Sequence, residues 1–551
     1  MPTIDCSLAD LNKLTRRSLS VKAVEELLEY AKAEVESYDG KDALRVKFED
    51  TNQPHLWSSE GIARLFRGAL GVDKGLTSYK AGASSDTIIV DKSVESIRPH
   101  IAAFSAKGPA ITDAFIKQLI QFQEKLCDGY GMRRKKVSIG IYRYSHITWP
   151  VTYKAVPPTS VKFVPLDMHK ELNLAEILEL HSTGKQYGWI ISGCKQYPLL
   201  VDSKSEVLSF PPIINSDKLG KIEVGDTELL IELTGTDMDA LHVVCNTLAA
   251  AFIDRSWTVS IVTVKRSSGK LVTPAFKTEN VKIEPKQVSA ILGLDLSREE
   301  IAKLLELMRY GVKGSIVTVP SYRADIMHPI DIIEDVAIAY GYNSLPEAPL
   351  ETYTVGDSLP IVKLIDSSRD ILIGCGMHEL MNAILCNKEV LYAKMNHPDV
   401  GTVELLEYKS VSYSVLRSWI LPLLLETISL NRHNDYPQQL FEEGEVSARK
   451  GKAVIDSEHI AFAIADATAD YARAQQRIDA LMRGMGLTYT LSPSTCPSYI
   501  PGRCADIHIN GESVGHFGEI HPAVLDNFEI RTPTVGAEIN LTKIHEIKNL
   551  K

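Results

Sequence analysis

The 551-residue sequence lacks several signatures of specialised protein classes. Its eight cysteines are scattered with no CxxC pair, which argues against a zinc ribbon and favours reduced thiols. No apolar run approaches the roughly 18 to 20 residues of a membrane helix, and the N-terminus carries no signal-type apolar segment. We therefore expect a cytoplasmic protein with no membrane partner. The phosphate-binding pattern GxxxxGK(S/T) is also absent, which argues against a P-loop phosphoryl-transfer enzyme.

An excess of positive charge is lacking too. The net charge is -10, from 60 Lys and Arg against 70 Asp and Glu, which argues against a protein that coats nucleic acid by bulk charge. One local basic run, Arg133–Lys136, could be a solvent-exposed segment at the end of a helix, or it could contact RNA phosphates. A hydrophobic content of 44% and a charged content of 24% describe an ordinary globular protein, and the length predicts three to five domains.

What the sequence does contain is a dense group of acids between positions 319 and 342. Asp325 precedes a predicted helix, and Asp331, Glu334 and Asp335 fall on it at i, i+3 and i+4, so we expect these three on one face. Like charges at that spacing repel unless a cation or a basic side chain neutralises them. The residues alone leave both options open.

A predicted strand over residues 229–234 places Glu232 and Thr234 on the same alternating face. Both side chains could face solvent. They could also face a pocket, because Pro211-Pro212 and Gly235 are rigid loop elements that bracket them.

Residues 270–348 predict a helix, a turn, a second helix with a capping box at Ser297 and Glu300, and a β-hairpin. This layout is winged-helix-like, but the second helix is not rich in residues that read bases, so DNA binding is disfavoured. Further along, Asn510-Gly511 predicts a hairpin between two strands.

Taken together, the motifs resemble one family, the β subunit of phenylalanyl-tRNA synthetase in its archaeal/eukaryotic form. The sequence lacks the long insert and the C-terminal anticodon-binding module of the bacterial form. The motifs that carry the resemblance follow the family's order along the chain: Asp50-x-Asn-x-Pro54 with Glu60-Gly-Ile-Ala-Arg64; 208–216 (LSFPPIINS) with 232–237 (ELTGTD); 319–342; 440–446 (LFEEGEV); and Pro501-Gly-Arg503 with 515–522 (GHFGEIHP).

The resemblance implies a multidomain α+β fold. Its expected parts are an N-terminal α/β module (1–85), a B3/B4 tRNA-editing domain (86–268), a winged-helix-like B5 domain (269–348), and a class II synthetase-like antiparallel sheet domain (349–551). Residues 515–522 contain glycines but no arginine, and adenylate chemistry needs a cation against the triphosphate. We therefore expect the last domain to be an inactive copy, with no catalytic residue for adenylation.

Two sites follow from the resemblance. The family binds Mg²⁺ at the contact with the catalytic α subunit, and the matching positions here are Asp325, Asp331, Glu334 and Asp335. The second site is an editing pocket that hydrolyses Tyr-tRNA(Phe) with a water molecule and no side-chain nucleophile. Glu232 is expected there to accept a hydrogen bond from the tyrosine hydroxyl. The other expected pocket residues are Thr234, Ser209 and Leu200.

The implied function is ligation of phenylalanine to tRNA(Phe) with ATP, in an (αβ)₂ heterotetramer whose α subunit binds ATP and phenylalanine. A free-standing tRNA-binding or trans-editing protein without an α partner is the alternative, and co-purification with a second chain distinguishes the two.

Overall fold

The chain divides into two units, residues 1–348 and 349–551, each with its own hydrophobic core. The computed structural model describes residues 2–350 and 352–549. Over these residues, no helix is both long and apolar enough to cross a membrane.

The first unit begins with a small three-stranded antiparallel sheet in the order β1-β3-β2 and three helices. Ser58 caps α3 by accepting a hydrogen bond from the Gly61 backbone N–H at 3.2 Å. The elements are β1 (Thr3–Ser7), α1 (Leu8–Thr15), α2 (Val21–Leu28), β2 (Ala33–Tyr38), β3 (Ala43–Phe48) and α3 (Ser59–Ala69).

The middle of this unit is built on one large mixed sheet with strand order β12-β11-β10-β7-β4-β14-β5-β13-β6, to which β15 adds beside β14. Helices α4 and α8 pack on it through apolar side chains such as Phe122, Leu248 and Phe252. The elements are β4 (Thr87–Val90), β5 (His100–Lys107), α4 (Asp113–Lys125), β6 (Val137–Arg143), β7 (Val151–Val156), β8 (Lys162–Phe163), β9 (Leu172–Asn173), α5 (Leu174–Leu180), α6 (Ser182–Tyr187), β10 (Tyr197–Val201), β11 (Val207–Phe210), β12 (Ile214–Asn215), α7 (Asp217–Gly220), β13 (Glu228–Gly235), α8 (Met238–Asp254), β14 (Thr258–Arg266) and β15 (Gly269–Thr273).

The last part of the unit is a three-stranded antiparallel sheet, β16-β18-β17, with three helices. The capping box that the sequence predicts is present, because Ser297 and Glu300 each accept the other's backbone N–H. The elements are β16 (Glu279–Lys282), α9 (Pro285–Leu292), α10 (Arg298–Leu307), β17 (Gly311–Lys313), β18 (Ile316–Val319) and α11 (Pro329–Tyr340).

The second unit is a seven-stranded sheet in the order β19-β22-β23-β27-β26-β25-β24, antiparallel except for the short β19–β22 pair. The predicted turn at Asn510-Gly511 is confirmed, with φ of 51° and 86° between β25 and β26. The elements are α12 (Pro360–Gly374), β19 (His378–Glu379), β20 (Leu385–Cys386), β21 (Val415–Leu416), α13 (Leu421–Leu430), β22 (Gln438–Lys450), β23 (Ala453–Ala465), α14 (Tyr471–Gly484), β24 (Thr490–Pro493), β25 (Tyr499–Ile509), β26 (Glu512–Ile520), α15 (Pro522–Asn527), β27 (Thr534–Asn540) and α16 (Leu541–Asn549).

Candidate functional site

A cavity of about 380 Å³ opens on the large sheet of the first unit. Its floor is made by β6 and β13, and its walls by α4 and by the loop that follows β11. The walls include several apolar side chains, and the floor combines the apolar Ile139 and Ile141 with the polar Ser138, Tyr142 and Glu232. The lining residues include Ile116, Ile120, Gln123, Ser138, Ile139, Gly140, Ile141, Tyr142, Ser209, Phe210, Pro212, Ile213, Asn215 and Glu232.

Glu232 is the acid at the floor of this cavity, and only 2% of its surface is exposed. Its Oε2 accepts a hydrogen bond from the Tyr142 hydroxyl at 2.7 Å, and the same hydroxyl lies 2.8 Å from the Ser209 Oγ. The second carboxyl oxygen, Oε1, is buried and has no hydrogen-bond partner among the described residues. Because buried polar atoms are rarely left unpaired, this oxygen is ready to accept a donor from a bound molecule.

Burial makes the ionisation of this acid less favourable than it is in water. Burial raises the pKa of Glu232 to about 7, against the lowering effects of the Tyr142 hydrogen bond and the Arg98 charge. Burial and the neighbouring Glu232 raise the pKa of Tyr142 well above its usual value, so Tyr142 keeps its proton. The Tyr142 hydroxyl is thus a donor held between two acceptors, Glu232 Oε2 and Ser209 Oγ.

Gly140 lies opposite Glu232 in the β6–β13 pair and leaves room for this contact. A Cβ atom at this position would lie 2.1 Å from the Tyr142 hydroxyl oxygen and 2.7 Å from Glu232 Oε2. Any larger residue would therefore separate the two side chains or displace one of them.

The other two expected pocket residues, Thr234 and Leu200, do not line the cavity. Thr234 is fully buried, and its Oγ1 accepts from the Arg98 Nε at 3.0 Å and lies 3.0 Å from the Ser138 Oγ. Leu200 is also fully buried and packs in the core cluster that includes Tyr142. The structure thus brings Glu232 and Ser209 to the cavity surface and places Thr234 and Leu200 beneath it.

The four acids between 319 and 342 have a different arrangement, and two of them share one arginine. The Arg323 Nε donates to Asp325 Oδ1 at 2.8 Å, and its Nη2 donates to Asp325 Oδ2 and, at 2.9 Å, to Asp335 Oδ2. The Tyr310 hydroxyl also donates to Asp335 Oδ2. Only 8% of Asp325 and 3% of Asp335 are exposed, so a guanidinium occupies the space that a cation would need.

The remaining two acids point elsewhere. Asp331 turns back to cap α11, and its Oδ2 accepts the backbone N–H groups of Met327 and His328 at 2.8 and 2.7 Å. Glu334 faces outward and pairs with the Lys32 Nζ at 2.5 Å. Asp331, Glu334 and Asp335 thus have the predicted helical spacing but different surroundings, because Asp335 faces the core and Glu334 faces outward.

These contacts leave no common set of free oxygens, so the four acids as placed do not fit a bound Mg²⁺. Within residues 2–350 and 352–549, no three His, Cys, Asp or Glu side chains converge in a way that could hold a metal ion.

In the second unit, the charged groups at the centre of the sheet are paired. Arg417 is buried and forms an ion pair with Glu442, whose Oε2 also accepts from Asn382 at 2.7 Å. Glu538 accepts the backbone N–H groups of Ile420 and Leu421 at 2.9 and 3.0 Å. The buried arginine is thus already neutralised by a carboxylate of the same sheet.

Comparisons with known proteins place the chain in a family. Family models match in two places: "Phenylalanyl tRNA synthetase beta chain CLM domain" over residues 345–541 and "tRNA synthetase B5 domain" over residues 281–342. The phenylalanine–tRNA ligase β subunit of Pyrococcus furiosus is 38% identical over 559 residues, covering 99% of this chain and 100% of that protein. This chain belongs to the phenylalanine–tRNA ligase β-subunit family.

Two further relatives give the same result. The phenylalanine–tRNA ligase β subunit of Thermococcus onnurineus is 37% identical, with 99% of both chains covered. Among solved structures, an N-terminal fragment of the phenylalanyl-tRNA synthetase β subunit from Pyrococcus horikoshii is similar, with a TM-score of 0.60 and 38% identity. That likeness covers 62% of this chain and 100% of the fragment. The family membership that the motifs predict is confirmed, as is the mixed α/β multidomain fold with a B5 domain.

For this member of the phenylalanine–tRNA ligase β-subunit family, sequence reasoning missed the residues that surround Glu232. Tyr142 lies 90 positions before Glu232, and Arg98 lies 134 positions before it. The one usable signal was the alternation of Gly140 and Tyr142 along β6, which places both on the face that carries Glu232 in the adjacent strand.

Proposed function

We propose that this chain is the β subunit of a phenylalanine–tRNA ligase that joins phenylalanine to tRNA(Phe) with ATP, together with an α subunit. We further propose that its cavity is an editing site that hydrolyses Tyr-tRNA(Phe). Family membership supports the first part, because the full-length relatives are named as β subunits of this ligase. The observation that carries the second part is the buried, unpartnered Oε1 of Glu232 in the cavity floor.

In this proposal, the tyrosine side chain enters between the apolar walls and its phenol donates a hydrogen bond to Glu232 Oε1. Tyr142 holds the other carboxyl oxygen at 2.7 Å, so the acceptor is aimed before the substrate arrives. Ser209 lies 2.8 Å from the Tyr142 hydroxyl and steadies it. Thr234 acts indirectly, through Arg98 and Ser138 behind the floor, and Leu200 supports Tyr142 by packing.

The selectivity follows from the cost of an unmet hydrogen bond. An apolar pocket built for phenylalanine rejects an added hydroxyl by only about a hundredfold. A site that hydrogen-bonds a hydroxyl rejects the analogue without it by about 10⁴ to 10⁵. Phenylalanine would leave Oε1 buried and unpaired, so Phe-tRNA(Phe) would be spared.

Hydrolysis in this proposal needs no nucleophilic side chain. A water molecule attacks the ester carbonyl, the bond to the ribose oxygen breaks, and tyrosine and free tRNA are released. The role of the chain is to hold the side chain so that the ester lies at the cavity mouth, where backbone groups and the ribose hydroxyls orient the water.

The second unit is proposed to be an inactive copy of a class II catalytic domain that packs against α subunits in an (αβ)₂ assembly. The ion pair of Arg417 with Glu442 supports this, because a neutralised arginine is not available to a triphosphate. ATP and phenylalanine would bind at the α subunit of a cytoplasmic enzyme. Ligases of this family are generally Mg²⁺-dependent, but Asp325, Asp331, Glu334 and Asp335 take no part in the editing step.

The test compares Glu232→Ala with Glu171→Ala, an exposed acid of the same region outside the cavity, both in the αβ complex. We expect Tyr-tRNA(Phe) deacylation to fall at least about a hundredfold in Glu232→Ala and to stay unchanged in Glu171→Ala. Phenylalanine charging measured in parallel reports whether the complex has assembled. Deacylation at the wild-type rate in Glu232→Ala would show that the cavity is not the editing site.

A further inference from the structure

The basic run Arg133–Lys136 forms a tightly wound turn at the rim of the cavity. Met132, Arg133 and Arg134 have φ values of 50°, 52° and 67°, a conformation that side chains with a Cβ atom rarely adopt three times in succession. Backbone hydrogen bonds from Arg133 to Asp128 and from Arg134 to Cys127, of 3.0 and 2.9 Å, hold the turn in place. It therefore presents its side chains in fixed directions.

One side chain of this turn points inward. Arg134 lines the cavity, donates to the carbonyl oxygens of Pro212 and Ile213 at 3.2 and 2.9 Å, and lies 4.1 Å from the Tyr187 ring centroid. The turn is also tied to the cavity floor, because Arg98 donates both to the Lys135 carbonyl oxygen and to Thr234. A molecule seated in the cavity thus meets this turn as it leaves the mouth.

The outward side chains form an unusual surface. Arg133 lies over the ring of Trp189, 5.9 Å from its centroid, and Trp189 is 50% exposed. Across the described part of the chain, the side chains of Arg133 and Lys135 form no ion pair, whereas Lys136 pairs with Asp237 at 3.2 Å. Arg133 and Lys135 are both exposed, and they are carried by the turn that contacts the half-exposed ring of Trp189.

We propose that Trp189, Arg133 and Lys135 form a platform that binds the unpaired 3′-terminal nucleotides of the tRNA next to the cavity. A base stacks on the exposed part of the Trp189 ring, and the two cations contact the backbone phosphates. Exposed aromatic rings interleaved with cations are the usual means of holding single-stranded nucleic acid without reading its sequence. This proposal rests on the editing function proposed above, because the tyrosyl ester in the cavity is attached to the last of these nucleotides.

The first measurement is Tyr-tRNA(Phe) deacylation by the αβ complex carrying Trp189→Ala, Trp189→Phe or Arg133→Ala. Arg17→Ala is the matched control, because it removes an exposed arginine from another part of the chain. Because a base would stack on the ring, we expect Trp189→Ala to raise KM about tenfold with little change in kcat. We expect the KM of Trp189→Phe to be close to that of the wild type. Melting temperatures show whether each variant is folded.

The second measurement uses an uncharged RNA hairpin with a four-nucleotide single-stranded 3′ end, with binding followed by fluorescence anisotropy at several salt concentrations. We expect Trp189→Ala to weaken binding and Arg133→Ala to reduce the slope of log affinity against log salt by about 0.7. A hairpin without the single-stranded end should bind the wild-type and variant complexes equally weakly.

The outcomes separate the two proposals. If Glu232→Ala abolishes deacylation while Trp189→Ala and Arg133→Ala keep the wild-type KM, the platform is wrong and editing stands. If the wild-type complex does not deacylate Tyr-tRNA(Phe), the proposed editing function is wrong. The hairpin-binding measurement still tests whether the platform binds nucleotides. Hairpin binding that depends on the single-stranded end and on Trp189 supports the platform. Equal hairpin binding by the wild type and Trp189→Ala overturns the platform.

Discussion

Two of the regions that bury carboxylates in the first unit surround these groups in opposite ways. In the cavity floor, one oxygen of Glu232 accepts from Tyr142, and among the described residues the other oxygen has no partner and the carboxyl group forms no ion pair. Near α11, Asp325 and Asp335 share Arg323, and Tyr310 adds a further donor to Asp335. The first region therefore keeps a carboxyl oxygen available to a bound molecule. In the second region, the carboxyl groups already accept hydrogen bonds from side chains of the protein.

The pKa values of Glu232 and Asp325 reflect this difference, whereas burial raises the pKa of Asp335 despite the opposing effects of Arg323 and Tyr310. Burial raises the pKa of Glu232 to about 7, with only weak compensation. Burial would also raise the pKa of Asp325, but the Arg323 guanidinium against it holds that pKa below its usual value. A dense group of acids in a sequence is therefore a poor guide to chemistry, since the isolated acid keeps a free oxygen and the crowded acids have neutralising partners.

The largest effect expected from this comparison is that of Arg323→Met. The variant leaves Asp325 and Asp335 buried without a cation, and breaking a buried ion pair costs about 3 to 5 kcal/mol. We expect the unfolding transition of residues 1–348 to move to a markedly lower temperature in calorimetry of the full chain.

Lys32→Met is the matched control for that experiment, because the Lys32–Glu334 pair is partly exposed, with 26% and 46% of the side chains accessible. Exposed pairs contribute about 0 to 1 kcal/mol, so a small shift is expected. Equal shifts in the two variants would show that Arg323 is not the central partner of the buried acids.

An intermediate effect is expected in the pH dependence of stability, tested with Glu232→Gln. The folded-state pKa of about 7 lies above the ordinary value of 4.5, so the folded protein binds the proton more tightly than the unfolded chain. This contribution to stability is full below about pH 4.5 and is lost as the pH rises through 7, by an amount on the order of 3 kcal/mol.

Glutamine cannot ionise, so the free energy of unfolding of Glu232→Gln should not fall through this group between pH 4.5 and 7. Near pH 7, the free energy of unfolding of the wild type should therefore approach that of the variant or fall below it. The measurement is urea unfolding of both proteins at a series of pH values. Parallel curves would mean that Glu232 is not buried in the way described.

Much of the local structure could be predicted from the sequence, because caps and turns act over short distances. The Ser297–Glu300 capping box and the Asn510-Gly511 hairpin are examples, and both are present. The alternation of side chains in 229–234 also predicted that Glu232 and Thr234 share a face of the strand. It could not predict that Arg98 donates a hydrogen bond to Thr234 and none to Glu232.

The acid group shows why the rest could not be predicted. Its partners come from distant positions: Lys32 lies 302 residues from Glu334, and Tyr310 lies 25 residues from Asp335. Arg323 is only two residues from Asp325, but its orientation depends on the backbone between 321 and 328, which is neither helix nor strand. Helical spacing alone therefore could not predict that Asp335 is buried while Glu334 faces outward.

The smallest effect is expected from magnesium itself. If Asp325, Asp331, Glu334 and Asp335 bound the ion with a dissociation constant of about 0.1 mM, about 10 mM Mg²⁺ would stabilise the fold by about 2.7 kcal/mol. Because Arg323, Lys32 and the α11 cap already occupy these carboxylates, we expect the melting temperatures of the full chain in Mg²⁺ and in a chelator to agree within about 1 °C. A rise of several degrees in Mg²⁺, absent in Asp331→Asn, would mean that the ion displaces these partners. The contrast between the four acids, whose carboxylates already have partners, and Glu232, which keeps an acceptor available, would then be wrong.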